Sequence, residues 1–183
     1  MTHQERQKEL SRKWIADAFY ALLQKKDYDS ITVSEITQKA DLSRRTFYRA
    51  FDNKQDIIAY LLAGIFPDYI AALKRLPAKT REHLAVAIVD FVNQHLVFFQ
   101  CLKRNHLDHL LIEFFDKQLA AGRDEIWGGS FCDDEETERI FMMTISIEHY
   151  NIIRLWLEMH DKKTPEEMAA LLSDALALFR HFQ

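Results

Sequence analysis

The chain has 183 residues, 48% of them hydrophobic, with 24 Lys and Arg against 28 Asp and Glu. That apolar share excludes a disordered chain, and the length fits one compact unit or two small ones sharing a core. The charge is uneven: residues 1–54 hold 11 Lys and Arg against 8 Asp and Glu, whereas 55–183 hold 13 against 20. A basic N-terminal part on an acidic remainder fits a nucleic-acid contact confined to one end. Only four glycines and three prolines are present, which favours long uninterrupted helices over many turns. Cys101 and Cys132 form no spacing motif and fit a reducing compartment. The polar start Met1-Thr2-His3-Gln4-Glu5 does not read as a secretory signal, and no apolar run approaches the ~18–20 residues of a membrane span. The expected location is cytoplasmic.

In chain order, Thr2 and Glu5 stand at the spacing of a capping box that opens a helix. Leu10, Trp14, Ala18 and Leu22 recur every fourth residue, with Ile15 and Phe19 beside them, and predict an amphipathic helix ending near Lys25-Lys26. Thr32 and Glu35 repeat the capping-box spacing before a helix from Val33 whose apolar side continues through Ile36 and Ala40. Asp41-Leu42 reads as a turn, and Ser43 is a good N-cap for a third, short helix. In that helix Phe47, Ala50 and Phe51 share one face, while Arg44, Arg45, Tyr48 and Arg49 share the other. Asn53 can cap a fourth helix, with Asp56 in its first turn. A short helix with one greasy side and a basic, aromatic outer side has the make-up of a recognition helix. Arginine pairs with O6 and N7 of guanine in the major groove, and hydroxyls hold phosphates. Packing alone does not call for a basic outer face.

The run Thr32-Val33-Ser34-Glu35-Ile36, then Ala40-Asp41-Leu42-Ser43, then Thr46-Phe47-Tyr48-Arg49-Ala50-Phe51 and Lys54 resembles the DNA-binding segment of the Tet repressor family. Two positions depart from the family pattern: Asp41 stands where glycine is usual, and Arg45 where many members have a small residue. The resemblance implies an all-α protein. Residues 1–54 would form a three-helix bundle with a helix-turn-helix at 33–52. Residues 55–183 would form a larger helical body for ligand binding and dimerisation. It implies a ligand-responsive transcriptional regulator, a repressor rather than an enzyme, that binds a palindromic double-stranded DNA operator as a homodimer. By motif position Arg44 and Arg45 read base edges, Thr32, Ser43, Tyr48 and Lys54 hold phosphates, and Thr46 and Arg49 do either. The alternatives are an activator or co-regulator controlled by a protein partner and, from another class, an α-helical enzyme or interaction module.

From Lys54 a helix runs towards Pro67 or beyond, and Pro77 breaks the chain. Thr80 can cap a helix carrying Leu84, Ile88, Phe91, Val92, His95, Phe98 and Phe99. Asn105 can cap the next, carrying Leu107, Leu110, Leu111, Phe114, Phe115 and Leu119, with Gly122 as its stop. Residues 122–134, with Gly128-Gly129, read as a loop. Two long helices follow, Glu135 to about Asp161 and Pro165 to His181, the second opened by Thr164-Pro165-Glu166-Glu167. Both are apolar over more than one stripe: Phe141, Ile145, Ile152 and Trp156 in the first, Met168, Leu171, Leu172, Leu178, Phe179 and Phe182 in the second. A homodimer through these last two helices supplies the second partner surface, the plainer alternative being a larger monomeric core.

For any one of the many aromatics, including Trp127, core packing is the default. A concave pocket for a small apolar or amphipathic effector would draw on His95, Phe98, Phe99, Phe114, Glu148, His149, Tyr150 and Trp156. His106, His109 and Glu113 could share a helix face, but the neighbouring leucines claim the buried side, so no metal site is expected. No cofactor is implied, and G-x-S-x-G, H-E-x-x-H, GxGxxG and phosphate-loop signatures are absent.

Overall fold

The computed structural model describes residues 2–78, 80–122, 126 and 134–177. Among them every regular element is helical: α1 His3–Leu23, a 3-10 turn Tyr28–Ser30, α2 Val33–Lys39, α3 Arg44–Ala50, α4 Lys54–Arg75, α5 Arg81–Gln94, α6 Leu96–Arg104, α7 Leu110–Ala121, α8 Glu135–Met159 and α9 Pro165–Ala177. Most of the expected 122–134 loop, with Trp127 and Cys132, lies outside the described residues, as do Leu178, Phe179, His181 and Phe182 of the last helix. The chain divides into two compact units, Met1–Gly64 and Ile65–Gln183.

In the first unit the capping boxes form as their spacing predicts. Thr2 Oγ1 accepts from the Glu5 N–H at 3.3 Å, and Thr32 Oγ1 from the Glu35 N–H at 3.2 Å. The buried stripe of α1 is Ile15, Ala18, Phe19 and Leu23. Leu10 and Trp14, expected on that stripe, are 43% and 50% exposed. The inward position in that turn belongs to Ser11, whose hydroxyl donates to the Gln7 carbonyl at 3.0 Å, so apolar periodicity carried no signal there. Helix α2 closes in a Schellman turn: the Asp41 N–H reaches the Gln38 carbonyl at 3.3 Å and the Leu42 N–H the Thr37 carbonyl at 2.9 Å. Asp41 takes φ 53° there, the left-handed position that glycine usually fills.

The second unit differs from expectation at two helix ends. The helix expected to run unbroken through Phe98 is two, α5 and α6, meeting at 86°. His95 is the joint, with φ −122° and ψ 28°. The bend brings Phe91 and Phe99 within 5.5 Å of one another on one apolar centre. Asn105 closes α6 instead of opening the next helix, its Nδ2 donating to the Cys101 carbonyl at 2.9 Å. A second Schellman turn follows, with His106 at φ 56°. His106 therefore sits in a turn and His109 just ahead of α7, which removes the shared helix face with Glu113.

Around α5, α9 packs on one side and α8 on another, while α7 runs along α8. The centre is aromatic: the Tyr69 ring lies 5.4 Å from Phe91 and 6.1 Å from Phe115, and Phe115 lies 5.2 Å from His149. His149 Nδ1 donates to the Ile145 carbonyl at 2.7 Å, so Nε2 is the bare nitrogen that accepts the Tyr69 hydroxyl proton. Both side chains are buried. Contrary to the sequence reading, α4 is long and apolar enough by length and composition to cross a membrane, with mean hydropathy 1.5 over an 18-residue window. Its apolar residues are committed elsewhere: Ile57, Ile58 and Leu62 are buried in the first unit, Phe66, Tyr69 and Leu73 in the second.

Two stability predictions follow. Asp41→Val is expected to lower the unfolding free energy by about 1–2 kcal/mol in urea titration, while Asp41→Gly leaves it unchanged or raises it. Burial holds His149 down to about 4, below its unfolded value of 6.5, so the folded state resists the proton that the unfolded chain takes up. Its contribution is complete above pH 6.5 and falls as pH drops towards 4. Unfolding titrations at pH 7.5 and 5 should differ by about 2 kcal/mol more in the parent than in His149→Gln.

Candidate nucleic-acid interface

Helix α3 has seven residues, too few to persist without support. Ser43 caps it, its Oγ accepting the Thr46 N–H at 3.1 Å. Phe47 is wholly buried and Phe51 is 3% exposed, in a core shared with Ile15, Phe19, Ile36 and Ile57. The next helix is clasped to the same unit. The Arg12 guanidinium stacks 5.0 Å from the Phe51 ring centre and 4.7 Å from that of Tyr60. The Tyr60 hydroxyl donates to Glu9 at 2.7 Å, and burial followed by this bond pushes the phenol up to about 12.

With one side of α3 fixed, the other faces outward. Arg44, Arg45, Tyr48 and Arg49 are all exposed. Among the described residues the three guanidiniums make no hydrogen bond or ion pair, and Tyr48 is held only by its ring, edge-on to Phe47 at 5.3 Å. Thr46 and Ser43 share a hydrogen bond between hydroxyls at 2.9 Å, which leaves one O–H of the pair for an outside acceptor.

Two expected phosphate contacts are more constrained than the sequence indicated. The Thr32 hydroxyl is engaged by its own capping box, donating to Glu35 Oε2 at 3.0 Å while accepting from the Glu35 N–H. The Glu35 carboxyl is in turn pulled down to about 2 by hydrogen bonding to Lys26 and to Thr32. Lys54 Nζ donates to the Tyr28 carbonyl at 2.7 Å and the Ile31 carbonyl at 2.8 Å, and sits 4.2 Å over the Tyr28 ring. Burial lowers its pKa. An ammonium has three donors, so Lys54 keeps one. Sequence reasoning missed Arg12 and Tyr28; partners 23 and more residues away leave no local signature. The Asn53 cap forms as expected, its Oδ1 accepting from Gln55 at 2.7 Å and Asp56 at 3.1 Å.

Several of the residues expected to line an effector pocket have partners within the second unit. Phe98, Phe99, Phe114 and Trp156 are buried in packing, Trp156 with its Nε1 donating to Asn93 at 2.8 Å. His149 is paired with Tyr69. His95 reaches Asp68 at 3.0 Å, and the Tyr150 hydroxyl donates to Asp108 at 3.1 Å. A groove of about 360 Å³ opens between α5, α8 and α9, and of the expected set Glu148 lines it. Filled aromatic packing and an aromatic-lined cavity have the same sequence pattern, so the distinction appears only in three dimensions.

A capped helix, a tight turn and a second helix anchored by Phe47 with free arginines outward form a helix-turn-helix, the arrangement that inserts a helix into the major groove. The family signature described as "Bacterial regulatory proteins, tetR family" matches residues 15–61, the segment that holds this helix-turn-helix. The "HTH-type dhaKLM operon transcriptional activator DhaS" of Lactococcus lactis subsp. lactis is 36% identical over 91 residues, covering 50% of this chain and 48% of that protein. An uncharacterized HTH-type regulator of Bacillus subtilis, YvkB, is 43% identical over 53 residues, 29% of this chain and 28% of its own length. The chain thus spans about half or less of the curated relatives it matches. Across almost the whole chain the fold is that of Lin0861 from Listeria innocua, with TM-score 0.72 at 15% identity, covering 98% of this chain and 94% of that one.

The Lys54 clasp is open to measurement. Lys54→Met, which keeps the stem and removes the donors, is expected to cost about 1–2 kcal/mol in unfolding free energy, with helix content by circular dichroism unchanged.

Proposed function

We propose that the protein is a DNA-binding transcriptional regulator that acts as a homodimer on a palindromic operator and answers to a small effector in its body. The observation that carries the DNA reading is the unpaired set Arg44, Arg45 and Arg49 on a helix fixed from behind by Phe47. In this reading α3 enters the major groove. Arg44 and Arg45 read base edges, and Arg49 and Thr46 take either bases or phosphates. Ser43, Tyr48 and the remaining donor of Lys54 hold phosphates. Thr32 joins them when its hydroxyl leaves Glu35. Two copies would place α3 in successive grooves about 34–36 Å apart or somewhat more.

Support for the dimer lies on α8 and α9, where Ile140, Met143 and Leu171 are exposed on described helices that pack inward elsewhere. Exposed apolar surface of this kind is the usual raw material of a twofold interface. Support for effector control lies in α4. Pro67 stands inside it with no N–H for the Ala63 carbonyl, and Gly64, with nothing within 4 Å of where a Cβ would sit, has no packing reason to be glycine. A helix weakened there can respond to an effector that prefers one of its conformations.

Repression by occupancy is the sign we favour. The activator reading is kept alive by the name of the Lactococcus relative. A reporter placed behind a recovered operator separates them: deletion of the regulator raises expression under repression and lowers it under activation. The binding itself is tested by selecting retained fragments from genomic DNA. No gel retardation at low salt would overturn the reading. With an operator in hand, Arg44→Ala should cost about 1–3 kcal/mol and relax preference at one base position. Lys54→Ala should weaken all sequences alike and reduce the salt slope by about one.

A further inference from the structure

The groove between α5, α8 and α9 combines a floor of Ala85, Ile152, Ala169 and Leu172 with a wall from Ile147 and Glu148. Ala85, Ile152 and Ala169 are buried, and at about 360 Å³ the space is of drug-like size. Its charges are unequal in character. Glu82 is satisfied, accepting from the Ser173 hydroxyl at 2.8 Å. Arg81 is exposed and free to hydrate. Glu148 is half-buried and, among the described residues, makes no hydrogen bond or ion pair. A carboxylate partly removed from water beside aliphatic carbon is under-solvated, and a cation seated there would restore what burial has taken. Thr144, Asn151 and Ser173 add neutral polar groups, but the lining is otherwise aliphatic, so the cation needs an apolar body.

We infer that this groove binds a small amphipathic organic cation, its charged nitrogen on Glu148 and its apolar part over Ala85, Ile152 and Leu172. This rests on the effector-responsive reading above and names the chemistry of the effector. Glu148 adjoins His149 in α8, and His149 Nε2 holds the hydroxyl of Tyr69 in α4. The Glu148 charge is also felt at Tyr69, where it acts with burial to hold the phenol protonated. A cation on Glu148 therefore acts one residue from the contact that fixes the second half of α4.

The test uses octyltrimethylammonium on the full chain, with octanol and octanoate as length-matched controls, read by calorimetry and thermal shift. The cation should bind more tightly than either control. Glu148→Gln should weaken the cation about tenfold and leave octanol unchanged. Thr144→Trp, at an exposed rim position, should abolish both. Equal binding of all three probes, or a cation affinity indifferent to Glu148→Gln, overturns the proposal. So does a Thr144→Trp chain that turns monomeric in light scattering, since the groove would then be a contact between copies. The two readings fail separately. Cation binding that depends on Glu148 without altering DNA retention upholds the site and removes effector control. DNA release by other compounds in a chain that does not bind the cation does the reverse.

Discussion

The burial of Phe47 is the constraint on which the exposed basic face of α3 rests. A seven-residue helix has no stability of its own, and α3 exists because one ring is wholly enclosed and one hydroxyl caps its first turn. That enclosure also sets direction. With Phe47 inward, helical geometry turns Arg44, Arg45, Tyr48 and Arg49 outward together, and no other contact is needed to aim them. The three arginines are thereby released from any part in holding the fold, whereas Ser43, Thr32 and Lys54 each also make a contact within it.

The same unit contains cations used in the opposite way. Lys26 is paired with Glu35, Arg12 lies between two aromatic rings, and Lys54 holds two carbonyls of the segment leading into α2. Net charge counts these equally with Arg44 and Arg45, yet their charge is largely answered within the molecule. What distinguishes a nucleic-acid surface is therefore the unanswered fraction of its basic residues. In the first unit Arg44, Arg45 and Arg49, all on the short α3, belong to that fraction.

Local features of the fold were legible in the sequence because their partners stand three or four residues apart. The capping boxes at Thr2, Thr32 and Thr164, the caps at Ser43 and Thr80, and the two-sided character of α3 all belong to this class. Helix ends were less legible where the left-handed position carries a side chain. Asp41 and His106 both occupy it, and only at Asp41 did the surrounding motif announce a turn. The joint at His95 gave no sign, because Phe91, Phe98 and Phe99 satisfy helical spacing whether or not the helix bends between them. Contacts across long separations, such as Lys54 with Tyr28 and Tyr69 with His149, had no sequence signature at all. An aromatic in a core and an aromatic on a cavity wall obey the same periodicity, so spacing does not separate them.

Helix α4 contributes side chains to the cores of both units. Its first turns are fixed by Ile57, Ile58 and Leu62 and by the Lys54 and Arg12 clasps. Its later turns are fixed by Phe66, Tyr69 and Leu73. Between the two sets lie Gly64 and Pro67, each of which weakens a helix by a different route, one through backbone entropy and one through a missing donor. Had the helix needed only to be straight and stiff, the open space at Gly64 would accept alanine without contact. Both sets of turns are held by buried aromatic and aliphatic side chains, so the cost of Gly64 and Pro67 is met by packing on either side of them and not by helix propensity.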